Sequence, residues 1–140
     1  MRALLLSLAL AAICCGPPSY PTPGGLAVTG ARLEPAEQAW LDSAHGHVRD
    51  CLRTHGYPAK HRLKHVHVHS TCWFDAPGTS TRVRGYTDLR DGVHVGRDLR
   101  AFQHEAAATI TGKHSHAPDA ATIVCEHAGP RPPTYQCEAK

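Results

Sequence analysis

Four cysteines, Cys51, Cys72, Cys125 and Cys137, constrain this chain more than any other feature. Paired, they tie together segments far apart in sequence, and they pair only where the compartment oxidises thiols. The N-terminus is written for such a compartment. Arg2 gives a short positive start, and residues 3–13 form an apolar run broken only by Ser7. That run is too short to span a bilayer and fits a secretory signal. Cys14 and Cys15 close it, which leaves four of the six cysteines for the body of the chain. Four cysteines allow three connectivities. Sequence proximity favours Cys51–Cys72 and Cys125–Cys137, a helix-to-strand staple and a C-terminal staple. No Cys-x-x-Cys occurs, which argues against a zinc ribbon or a thioredoxin-type motif. The 140 residues are one domain's worth, with a core small enough to use two bridges of about 2–4 kcal/mol each.

Local patterns predict an α+β domain over residues 35–140. Residues 16–34 are rich in Pro and Gly and read as a flexible tether. A helix is expected from Pro35 to about Thr54, with Pro in its first turn and Gly56 at its end. Trp40, Leu41, Ala44, Val48, Cys51 and Leu52 fall on one apolar stripe, with His45 and His47 on the solvated side. A strand is expected over Leu63–Ser70, then a hairpin of two strands, Ser80–Tyr86 and Gly92–Val95, around an Asp-Gly turn. The sheet is thus expected to be short and antiparallel. A second long helix should start near Asp98 as N-cap and stop at Gly112. Leu99, Phe102, Ala106 and Ile110 make its core face, with His104 and Ala108 on the opposite side.

Charge says little about partners: 15 basic residues against 12 acidic ones, spread out, leave no nucleic-acid footprint. Histidine is the anomaly, with 12 copies. A neutral imidazole ligates metal, and an exported chain rich in it invites a metal reading. His65, His67 and His69 alternate with Val66 and Val68, so the valines face one side of a strand and the three imidazoles the other. His-x-His on a strand chelates, with rings roughly 6–7 Å apart on one face. The same alternation also suits valines facing a core and histidines facing water.

His104-Glu105-Ala106-Ala107-Ala108 is the other chemical signal. In His-Glu-x-x-His on a helix, residues four apart share a face, so two imidazoles grip one Zn²⁺ while the glutamate works on the metal-bound water. Here Ala108 stands where the second histidine would be, and alanine has no lone pair to donate. His114 and His116 follow in a loop with Asp119.

A helix, strands, an edge hairpin and a His-Glu helix followed by a downstream ligand resemble a minimal zincin metallopeptidase. The resemblance covers about residues 35–125, with motif support confined to 104–116. It implies a zinc cofactor, His104 as first ligand, Glu105 as general base and His114, ten residues on, as the later ligand, with a peptide or protein as substrate. His116 and Asp119, or His65, His67 or His69, are the candidates to replace the missing ligand. Gly112 sits one place later than the extended pattern expects. The N-terminus resembles that of a bacterial lipoprotein: an apolar run, Cys14 or Cys15 as the lipidated residue, then a tether from Gly16 to Gly25. That resemblance implies an exported chain at the cell envelope, on the membrane by a lipid anchor only.

With two ligands where a catalytic zinc takes three, the resemblance implies a weakly active or inactive relative, and whether the chain is an enzyme stays open. Two further classes remain: a non-catalytic, disulfide-stapled binding module at the cell envelope, and a His-rich divalent-metal binding protein. Serine chemistry has no support, because Ser70, Ser80 and Ser115 sit in no Gly-x-Ser-x-Gly elbow.

Overall fold

A computed structural model describes residues 18–57, 62–88, 92–112 and 120–138. Cys14, Cys15, His114, His116 and Asp119 lie outside the described residues. The described residues begin with two strands, β1 (Tyr20–Pro21) and β2 (Ala27–Gly30), followed by helix α1 (Pro35–Thr54) and strand β3 (His65–Val68). Two short strands follow, β4 (Phe74–Asp75) and β5 (Arg82–Val83), then β6 (Gly85–Asp88) and β7 (Gly92–Val95). Helices α2 (Phe102–Thr111) and α3 (Ala120–Cys125) complete the α+β fold. The main sheet has the order β1-β2-β3-β7-β6, and β4 and β5 form a separate antiparallel pair.

The sheet is mixed, which corrects the expectation of a short antiparallel one. β2, β3 and β7 run parallel, while β1 and β6 are antiparallel edges. Parallel neighbours need a crossover, and α1 supplies the one between β2 and β3. A hairpin of β6 and β7 forms, in the register Gly85↔Val95 to Asp88↔Gly92, but the strand expected over Ser80–Tyr86 is divided: Arg82–Val83 pairs with β4, and Gly85 to Asp88 pair with β7.

Period-two alternation sets the two faces of the sheet. Val28, Val66, Val68, Val93 and Val95 are all 0% exposed and meet Leu41, Leu52, Phe102 and Ile110 from the helices. The segment expected to be a tether belongs to this core: Leu26, Val28 and Leu33 are buried in it. The Pro/Gly-rich flanks hid a four-residue strand too short to show a period.

α1 keeps its expected bounds and stripe, with Trp40, Leu41, Ala44, Val48 and Leu52 buried. Glu37, buried beside its N-terminus, binds Arg97 through two guanidinium nitrogens, and Arg97 in turn stacks on Tyr135 at 4.3 Å. Burial alone would raise the Glu37 pKa; the Arg97 hydrogen bond, the Glu34 backbone bond and the Arg97 charge reverse this and hold it below its ordinary value.

α2 starts at Phe102 rather than near Asp98. Leu99 has φ 61°, a left-handed conformation that no right-handed helix can run through. Its side chain is 1% exposed, so core burial holds the backbone there. Gly112 ends the helix at φ 67°, as expected. The two-sided reading of α2 is corrected: Ala107 and Ala108 are buried along with Ala106. The C-terminal segment packs on α2, with Gln103 donating to the Ala128 carbonyl and Glu126 reaching His104.

Both disulfides form, but with the other partners. Cys51 bonds Cys125 and Cys72 bonds Cys137, with Cα–Cα distances of 5.5 and 5.7 Å. The crossover explains the correction. α1 returns against the strands, so Cys51 in its last turn and Cys72 beyond β3 lie at opposite ends of the sheet. The loops closed span 74 and 65 positions, which raises the entropic contribution to about 4 kcal/mol per bridge. Among the described residues no helix is long and apolar enough to cross a membrane.

Candidate metal centre

The face of the sheet turned away from the helices carries a polar row across four strands. Thr29 pairs with His67, His67 with His94 and His94 with Tyr86. His69 lies just past β3, on the same face as His67, and its backbone N–H continues the parallel ladder to the Val95 carbonyl at 2.9 Å. Parallel register thus converges three imidazoles. Ring centroids are 4.7 Å apart for His67 and His69, 5.1 Å for His67 and His94, and 5.7 Å for His69 and His94.

One potential ligand nitrogen from each of these rings lies within 4.8 Å of the other two. Zn–N bonds of about 2.0–2.1 Å place the nitrogens of a tetrahedral site roughly 3.3 Å apart, so small ring rotations complete the set. The surroundings orient the rings. Thr29 Oγ1 lies 2.8 Å from His67 Nδ1; in the tautomer whose Nδ1–H donates to that oxygen, Nε2 of the ring offers a lone pair. Phe74 stacks on His69 at 3.7 Å with 7° between planes. His69 Nε2 is buried and has no hydrogen-bond partner among the described residues. A buried polar atom without a partner costs about 1–3 kcal/mol, and a metal ion on its lone pair removes that cost.

The electrostatics suit a cation bound by neutral ligands. Burial lowers the His67 pKa. Burial, then the proximity of His67 and His94, pushes His69 down to about 4. Both rings are therefore neutral near pH 7 and present lone pairs, the form a metal requires.

Two other groups of potential ligands occur among the described residues, Cys51, His55 and Cys125, and Cys72, Asp98 and Cys137. Their sulfurs are joined as disulfides, so they offer no thiolate.

The helical pair diverges. His104 Nδ1 lies 2.9 Å from Glu126 just past α3. Glu105 is 6% exposed and accepts a hydrogen bond from Thr87 on β6. Gly85 permits this approach: a Cβ there would lie 2.8 Å from the Glu105 carboxylate. Ala108 is 4% exposed. Of the strand histidines, His65 is exposed and stands outside the cluster. His94 was missed by reasoning confined to one His-x-His run. Its signal was present in Val93-His94-Val95, the same alternation as β3, which turns His94 outward once the valines go to the core. No protein-family model, curated protein or solved structure matches this chain.

Proposed function

We propose that this protein binds one divalent transition-metal ion, zinc in the first instance, through His67, His69 and His94. The observation that carries the reading is the buried Nε2 of His69, without a partner among the described residues, beside two further imidazoles. Three neutral nitrogens favour Zn²⁺ or Cu²⁺ over Mg²⁺ and Ca²⁺, which prefer oxygen. Three histidines also leave a fourth position for water or a ligand, as in sites where zinc lowers the pKa of its water. Titration calorimetry on metal-free protein tests it. One zinc per chain is expected, with binding lost in His67→Ala/His94→Ala. Absence of binding by the wild type, or unchanged binding by the double variant, would sink the reading.

A second reading, a degenerate zincin peptidase, is supported by the element order: helix, strands, an edge hairpin, then a helix carrying His104-Glu105. It requires peptide hydrolysis that disappears in Glu105→Gln while zinc binding at His69 is unaffected. Export belongs to either proposal, since two disulfides persist best in an oxidising compartment. Mass spectrometry of the processed N-terminus tests it, with a start at or near Cys14 or Cys15 expected.

A further inference from the structure

We infer that a second site, distinct from the histidine cluster, binds a small organic anion with an apolar body. It is a cavity of about 770 Å³ at the end of the sheet where β2 and β3 begin. Small-molecule sites fall in the range of about 300–1,000 Å³. None of His67, His69 and His94 lines it.

Its walls divide by chemistry. Leu26, Leu63 and Ile110, core residues, supply an apolar floor. Arg49, Arg62 and Lys64 supply three cationic side chains, and no carboxylate lines the cavity among the described residues. Two acids of α1, Asp42 and Asp50, are not among the lining residues. Asp42 accepts hydrogen bonds from the Thr22 hydroxyl and the Gly24 N–H. Asp50, more than half exposed, lies 3.5 Å from Arg49 and is shared with Arg53 at 3.4 Å. No carboxylate among the described residues pairs with Arg62 or Lys64. Two guanidinium forks suit a carboxylate or phosphate headgroup, and the leucines suit a short alkyl or aromatic body.

His45 shares the cavity and supports the convergence of charge. Burial first, then Arg49 against an opposing Asp42, then Arg62, lower its pKa. A neutral His45 ring donates or accepts a hydrogen bond without adding to the repulsion among the cations. An anion between the two arginines relieves that repulsion, which is where binding free energy arises.

Decanoate and decyl phosphate, below their micelle concentrations, are suitable probes on the full mature chain with both disulfides intact. Calorimetry or NMR titration should show one site, at least roughly tenfold tighter for either alkyl anion than for decanol, decyltrimethylammonium or inorganic phosphate. The ratio between the two alkyl anions identifies the headgroup. Arg49→Gln/Arg62→Gln/Lys64→Gln, all exposed side chains, should weaken binding by roughly tenfold or more, whereas Arg131→Gln, an exposed cation away from the cavity, should not. Equal affinity for decanol and decanoate, unchanged binding in the triple variant, or no binding by the wild type would each overturn the inference. Zinc affinity is independent of all three substitutions, so failure here leaves the metal centre to its own test.

Discussion

The outer face of the sheet and the second helix both carry histidine beside other polar groups, three imidazoles on the first and His104 with Glu105 on the second, yet only the first gathers potential ligands into one place. On the sheet, residues two apart share a face and parallel neighbours lie side by side, so His67, His69 and His94 point into one volume. On α2, His104 and Glu105 are consecutive and point about 100° apart, one to Glu126 and one to Thr87. Each already has a partner. A sequence motif names residue types, whereas metal affinity depends on lone pairs that converge and have no better partner.

The largest effect that could break this comparison is on zinc affinity. His69→Ala should weaken it by more than the ~10–100-fold typical of residues that merely orient ligands, while His104→Ala should leave it within a few-fold. Calorimetry on both variants measures this, and the reverse order would move the metal to the helix.

Next is Ala108→His. Restoring the motif's second histidine puts an imidazole where the side chain is 4% exposed. Overpacking of this kind costs about 1–3 kcal/mol, read as a lower midpoint in urea with unchanged zinc stoichiometry. A second tight zinc or new peptidase activity in that variant would revive the helix as a catalytic element.

A smaller change sharpens the sheet side. Thr29→Val keeps the shape of the residue and removes the oxygen that holds His67 Nδ1. Zinc affinity should fall by roughly tenfold, with stability little altered. Equal affinity would mean that strand geometry alone orients the ring.

The smallest effect concerns protons. His69 titrates near 4 in the folded chain, below the ordinary 6.5 it regains on unfolding. Between those values the unfolded chain binds the extra proton, so the metal-free protein loses stability as pH falls from about 6.5 to about 4, and no further below. The slope is less than one proton, since solvent screens a partly exposed ring. Denaturant titrations with chelator at pH 7.5 and 4.5 should show a smaller difference for His69→Phe than for the wild type.

Much of this fold was legible in the sequence because it rests on local rules. The apolar stripe of α1, the Val/His alternation of β3, the β6–β7 hairpin and the Gly112 cap all follow from periodicity or turn chemistry. β2 was not legible, because four residues between turn formers carry too little pattern. Nor was the late start of α2, where core burial of Leu99 outweighs the helical preference of the segment.

By itself, then, the sequence determined which residues turn inward, which positions cap or break elements, and that four cysteines are available for pairing. Only the tertiary structure decided who meets whom. The β2–α1–β3 crossover separates Cys51 from Cys72 and brings each to a partner near the C-terminus. The parallel pairing of β3 with β7 sets His94 beside His67. The physical reason is the same in both cases. Periodicity acts within a turn or a strand, whereas adjacency between distant segments is settled by burying one continuous core, and no local pattern encodes that choice.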